Sequence, residues 1–362
     1  MTSDTSRAAP AVTAEGETFP SAPQRLEYVS VTPPAPGSSV EIAPGVRWAR
    51  IPLPMDLNHI NVWLVATDGG CVIVDTGMAV GMGKEAWESI ERETFGTQPV
   101  RAVFITHIHP DHSGLAAWLQ ERYGVPVMMS SRTHDMLRAM STGQGRPDGA
   151  KVEAFFSSHG LSDVAQVQPM FRPERFSRMT SGMPQVKRFV ADGDMLQWGG
   201  EWLALQTDGH AQGHLCLSNG AARVLISGDQ VLPSISSNIS YGFHIADANP
   251  LKSYLDSLQR LRKLPSETLV LPSHGVPFYG LQQRIDDLTS HHEEQLARVQ
   301  ERCREPKTAA ELLPSMFRRE LKGMHLFLAF GEALAHLEYL VLAGRIERMQ
   351  ADGVIRYVSK SG

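Results

Sequence analysis

Apolar residues along this chain follow two patterns: short unbroken runs, and longer stretches in which they recur every three or four positions. A short apolar run bounded by turn residues reads as a buried strand, and the 3.6-residue recurrence reads as a helix. The runs VRWARIPL from Val46, INVWLVA from Ile60, CVIVD from Cys71 and VRAVFIT from Val100 predict strands, as do VPVMMS, WLALQT, HLCLS, RVLIS and TLVLP further on. Helices are predicted near Lys84 to Thr94, from Ser113 to Tyr123 with Gly124 to stop it, from Pro250 to Lys263, and from Gln282 to Arg302. This mixed order suits two sheets with helices packed outside them.

Three regions break the pattern. Residues 1–40, rich in Ser, Thr, Pro, Ala and Gly, read as a mobile tail with an extended end. Residues 130–184 carry Met- and Phe-rich helical stretches broken by GQGRPDG and FRPERF, an insertion into the domain that spans residues 41–303. Residues 304–362 hold the helices KTAAELLPSMF and FGEALAHLEYLVLAG. A hairpin with Asp352-Gly353 as its turn follows, the order of a winged-helix domain.

Composition narrows the partners. A net charge of −5 gives no general attraction for nucleic acid or anionic membrane. No apolar run is read as reaching the roughly 18 residues that span a bilayer. The first twenty residues lack the apolar core of a secretory signal, so a cytoplasmic enzyme is expected. Three widely spaced cysteines suggest no disulfide framework, and Cys71 and Cys216 read as core.

The chemistry concentrates in HIHPDH, directly after the strand VRAVFIT. Three imidazoles and a carboxylate on one loop after a rigid strand end offer the donors that zinc, iron and manganese share. His107 and His109 alternate toward one ion, while Asp111 and His112 turn toward another. Paired ions acidify a shared water and polarise a carbonyl or phosphoryl oxygen. Asp111 could then carry a proton to the leaving group.

HIHPDH resembles the HxHxDH motif of the metallo-β-lactamase superfamily. VDTG at Asp75, TDGHAQGH at His210, LISGDQ at Asp229 and LPSHG at His274 follow that family's order. The resemblance implies an αβ/βα sandwich. It implies a first ion on His107, His109 and His210, a second on Asp111, His112 and His274, and Asp229 on both, with Asp111 and Asp229 catalytic. It gives Asp75 the role of orienting the ligand loop. Asp208 stands where the family usually carries proline, which should alter only the local turn.

Among the remaining candidates, His214, four residues past His210, is expected to support the ligands or touch substrate. Tyr241 and His244 follow the Asp229 strand in a loop that could reach the site. His59 is expected to hydrogen-bond backbone, and His291-His292 to lie on a solvated face. Phe155 and Phe171 of the insertion could line an apolar substrate pocket. The C-terminal unit resembles the small domain of a mitochondrial endoribonuclease of the superfamily. Its recognition-position helix carries Glu332 and Glu338 and no basic residue, so packing or homodimerisation is expected instead of nucleic-acid binding.

The expected activity is hydrolysis of a small ester, thioester or lactone by a metal-bridging hydroxide, with zinc first among the metals and iron or manganese behind it. A thioester would match the work of glyoxalase II, which the metal motif resembles. An endoribonuclease or phosphodiesterase and a mononuclear iron persulfide dioxygenase are the rivals. A non-catalytic binding protein is disfavoured because no ligand position is lost.

Overall fold

The computed structural model describes residues 26–95, 99–144, 148–242, 245 and 247–360. Strand β1 (Glu27–Tyr28) precedes a run of antiparallel strands, β2 (Ser39–Ala43), β3 (Val46–Pro52), β4 (His59–Thr67) and β5 (Gly70–Val74). Helix α1 (Gly81–Thr94) then crosses to β6 (Val100–Phe104), parallel to β5. Helices α2 (Pro110–Ser113) and α3 (Ala116–Tyr123) lead to β7 (Val127–Met129). The predicted insertion is helical: α4 (Ser131–Thr142), α5 (Gly149–Ser158) and α6 (Pro173–Ser177), with two 3-10 turns between the last two. Strand β8 (Val186–Phe189) closes a seven-stranded sheet in the order β2 to β8.

The second sheet begins with β9 (Met195–Gln197), β10 (Glu201–Gln206), β11 (Leu215–Asn219) and β12 (Val224–Gly228). Helix α7 (Pro250–Leu261) crosses to β13 (Leu269–Pro272), parallel to β12, and β14 (Phe278–Tyr279) follows. Its order is β1-β14-β13-β12-β11-β10-β9, so β1 returns from the chain start to form an edge. Of the tail expected over residues 1–40, residues 1–25 lie outside the described residues, and the rest holds β1, a bend at 30–31, a turn at 36–37 and the first residues of β2.

Alternation along the strands explains the layers. On β4, Trp63 and Val65 face the second sheet while Ile60, Val62 and Leu64 face α1 and α3. On β12, Val224 and Ile226 face the first sheet while Leu225 faces the helices beyond. Strands buried on both faces read as unbroken apolar runs, which is why they stood out in the sequence. The result is a helix–sheet–sheet–helix sandwich.

The C-terminal segment comprises α8 (Leu281–Arg302), α9 (Ala309–Met316), α10 (Gly323–Leu342) and the hairpin β15 (Ile346–Ala351) and β16 (Val354–Ser359). Asp352 and Gly353 both take positive φ at its turn, as the sequence predicted. The segment does not build a core of its own. Phe330, Leu334 and Leu337 of α10 share one cluster with Phe156 of α5, Tyr254 of α7 and Ile285 of α8.

Two expectations need correction here. Helix α10 is long and apolar enough to cross a membrane by length and composition, although 61% of that stretch is buried inside the fold. The sequence reading missed it because its helix began at Phe330, whereas the structure starts it at Gly323. His292 is fully buried, its Nδ1 3.2 Å from His336 Nε2, because α10 covers that face of α8; only His291 is partly exposed. Cys71, Cys216 and Cys303 are unpaired and buried.

Candidate metal centre

Both parallel strand pairs end at the same edge of the sandwich, and the carboxyl end of each pair opens into a loop rich in donors. After β5 the chain turns at Asp75, whose φ of 63° is a conformation that aspartate tolerates better than most residues. The turn sends its carboxylate back onto the neighbouring strand end. Asp75 Oδ1 accepts the Thr106 N–H at 2.8 Å, and Oδ2 accepts Thr106 Oγ1–H at 2.8 Å and His112 Nδ1–H at 2.8 Å. The HIHPDH loop after β6 is thereby fixed from behind. Thr106 was not foreseen, and only its place before the first histidine could have signalled it.

The seven expected ligands converge. Donor atoms of His107, His109, His210 and Asp229 lie within 4.8 Å of one another, and so do those of Asp111, His112 and His274. Asp229 faces both groups. Its Oδ2 is 3.3 Å from His210 Nε2 and 3.9 Å from His107 Nε2, and its Oδ1 is 3.4 Å from His112 Nε2 and 3.6 Å from His274 Nε2. Asp111 Oδ2 completes the second group, 3.3 Å from His274 Nε2 and 3.6 Å from His112 Nε2.

Hydrogen bonds at the outer ring nitrogens set the tautomers. His210 Nδ1–H donates to the Asn238 carbonyl at 2.9 Å, and His274 Nδ1–H to the His59 carbonyl at 2.9 Å. His112 Nδ1–H donates to Asp75. Because Thr106 Oγ1 gives its hydrogen to Asp75, it accepts from His107 Nδ1–H at 3.0 Å. In its neutral form, each of these four rings aims a bare Nε2 lone pair inward. His109 enters by its other nitrogen, Nδ1 lying 2.9 Å from His107 Nε2 and 3.0 Å from His210 Nε2.

Such an array of lone pairs and carboxylates is repulsive unless a cation sits among them. His112 Nε2 and Asp229 Oδ1 are buried with no hydrogen-bond partner, and three carboxylates gather out of water, where unpaired charge is costly. Electrostatics agree. Burial, then His112 and His109, hold His107 well below its usual range; burial and His210 bring His109 to about 3. Burial opposes protonation of His112 too, yet Asp229, Asp75 and Asp111 hold it well above. Asp229 and Asp111 raise His274 against its burial. The second group thus demands positive charge, and the donor set suits divalent zinc, iron or manganese.

Other expected residues take varied places. His214 is fully buried; its Nδ1 is 2.8 Å from Thr207 Oγ1, and its Nε2 accepts the Asp229 N–H at 3.2 Å. A Cβ at Gly228 would come 2.4 Å from that Nε2, so this close backing of Asp229 requires glycine. His59 Nε2 accepts the Gly275 N–H at 3.3 Å, which steadies the His274 turn. Asp208 closes its own turn, Oδ1 accepting Gly213 N–H at 2.7 Å. Phe155 and Phe171 are not among the converging residues. They stand in an aromatic cluster with Phe156, Phe171 lying 5.5 Å from Phe327 of α10. Tyr241 is half-buried, its N–H donating to the Gly331 carbonyl of α10 at 3.0 Å, and burial raises its hydroxyl pKa. His244 lies outside the described residues.

A family model described as the metallo-beta-lactamase superfamily matches residues 55–274, and one described as the metallo-beta-lactamase-like C-terminal domain matches residues 296–360. The probable metallo-hydrolase YflN of Bacillus subtilis is 27% identical over 269 residues, covering 72% of this chain and 94% of that protein. The human acyl-coenzyme A thioesterase MBLAC2 is 26% identical over 262 residues, 68% of this chain and 84% of that protein. A beta-lactamase domain protein from Burkholderia ambifaria superposes with a TM-score of 0.86 at 40% identity, covering 92% of this chain and 98% of that one. A metallo-beta-lactamase family protein from Thermus thermophilus gives 0.74 at 29% identity, covering 88% and 99%.

Proposed function

The chain belongs to the metallo-beta-lactamase superfamily, and on that premise we propose that it is a dinuclear metal-dependent hydrolase of small acyl substrates, thioesters first, with esters and lactones behind them. The observation that carries this reading is Asp229, whose two carboxylate oxygens face two separate groups of imidazoles. His107, His109 and His210 would hold one ion, Asp111, His112 and His274 the other, and Asp229 both. Two ions so held supply a water acidic enough to attack near neutral pH and positive charge for the developing oxyanion.

The protein's own groups do the rest. Asp75 and Thr106 fix the HIHPDH loop, and His214 fixes the main chain at Asp229. Asp111 is the most exposed of the three carboxylates, at 16% against 10% for Asp229 and 1% for Asp75. Its oxygen is best placed to carry a proton to the departing thiolate or alkoxide. Phe171 and Phe327 support an acyl substrate: both are half-buried, and Phe327 precedes Leu328, whose carbonyl holds the side chain of Asn238. One relative carries an acyl-coenzyme A thioesterase name, in keeping with this choice.

The test is metal analysis of the purified protein beside a panel of short- and long-chain acyl thioesters, esters, lactones, a phosphodiester and RNA. Free thiol release with two ions per chain is expected. Phe171→Ala should raise KM for long acyl chains more than for short ones, with metal content unchanged. Cleavage of phosphodiesters alone, or a single iron with oxygen uptake on a persulfide, would overturn the proposal.

A further inference from the structure

Resting on His210 as a ligand, we propose that Glu332 and Asn238 form a positioning relay by which the C-terminal helix α10 sets the geometry of the first metal position. The loop after β12 passes from Asp229 to Tyr241 against one face of α10, and Asn238 is its pivot. One amide hydrogen of Asn238 goes to the Leu328 carbonyl at 3.2 Å and the other to Glu332 Oε2 at 3.3 Å. The amide oxygen accepts Ser240 Oγ–H at 2.7 Å. Both donors and the acceptor of this side chain are therefore engaged, which leaves the amide one orientation. That fixes the Asn238 main-chain carbonyl, the group that takes His210 Nδ1–H.

Two further features belong to the same docking. A Cβ at Gly331 would sit 2.6 Å from Ser240 Oγ, so the helix meets the loop at a distance that only glycine allows. Glu332 is largely withdrawn from water, and burial pushes its carboxyl up to about 7. A packing role would be met more cheaply by an apolar residue; a carboxyl here makes sense as the acceptor that completes the Asn238 amide. Groups that orient ligating histidines commonly govern metal affinity by about 10–100-fold.

The experiment uses the full-length chain loaded with zinc or cobalt, with ion affinities measured by competition against a chromophoric chelator and the cobalt absorption spectrum as a second readout. Glu332→Leu and Asn238→Ala should each weaken the first ion by about tenfold or more and shift the cobalt bands. The second ion, on Asp111, His112 and His274, should bind as before. Glu332→Gln keeps an oxygen acceptor and should restore both readouts. If Glu332→Leu fails to fold, Asn238→Ala, placed in the loop, still decides the matter. Unchanged affinities and spectra, or equal loss of both ions without rescue by glutamine, would overturn the relay. A wild-type chain that binds no metal would instead overturn the reading of His210 on which the relay rests.

Discussion

The first sheet supplies its donors from one turn after β6, where His107, His109, Asp111 and His112 crowd into six residues; the second supplies His210, Asp229 and His274 from the ends of three different strands. The two halves meet at one edge because each contains a parallel pair, β5 with β6 and β12 with β13, whose carboxyl ends open the same way. The clustered half is held from behind by neighbours that share its turn: Asp75 on His112 and Thr106, Thr106 on His107, and Thr76 on the His112 carbonyl. In the dispersed half each donor has its own anchor: Asn238 for His210, His214 for Asp229 and His59 for His274. A compact motif can share one connected set of supports, and a scattered one needs a separate support for each member.

The largest test of this contrast is Asp229→Ala. It removes the one group among the described residues that faces both sets, so both ions should leave and activity should fall by more than about a thousandfold; metal analysis and thiol release measure it. Retention of one ion would show that the halves bind independently. His274→Ala should act on one side alone. The second ion should weaken by well over about tenfold, while the first keeps three imidazoles; chelator competition resolves the two steps.

The smallest effect concerns pH and the far end of the dispersed half. Glu332 has its folded pKa raised to about 7, from 4.5. Its protonated form is therefore favoured in the fold, a contribution complete below 4.5 and lost as pH rises through 7. His336 of α10 donates Nδ1–H to the Glu332 main-chain carbonyl at 2.8 Å, and His292 of α8 lies behind it, 3.2 Å from His336. Burial lowers His292 to about 2 and His336 to about 4, so their contribution is lost in the opposite direction, as pH falls below 6.5. Against wild type, Glu332→Gln should gain stability as pH climbs from about 4.5 to about 7, by up to roughly 3 kcal/mol. Urea midpoints across that range measure it, and parallel curves would mean that Glu332 titrates normally.

This contrast also explains what was legible in the sequence. HIHPDH could be read from composition alone because its members are neighbours. His210, Asp229 and His274 were legible only through their resemblance to a family pattern, since nothing local distinguishes them. Thr106 and Asn238 escaped notice, and Glu332 was read only as a charge set against nucleic acid, because their roles exist only once distant elements touch. Strand β8 escaped too: Val186–Phe189 carries Lys187 and Arg188 on an exposed edge, where no apolar run forms. His292 was misjudged because α8 reads as polar, and the apolar helix that covers it arrives some thirty residues later in the chain.

Phe156 of the insertion meets Phe171 at 5.9 Å, Phe327 at 6.5 Å and Phe330 at 5.1 Å. Segments more than 150 positions apart in the chain thus share one aromatic cluster. A lineage that remodels one must remodel the other in step, for a new insertion over an old α10 would leave mismatched aromatic faces. The HIHPDH ligands stand outside that aromatic cluster, so a matched exchange of the two segments can leave them in place, provided that α10 keeps its hold on Asn238 behind His210.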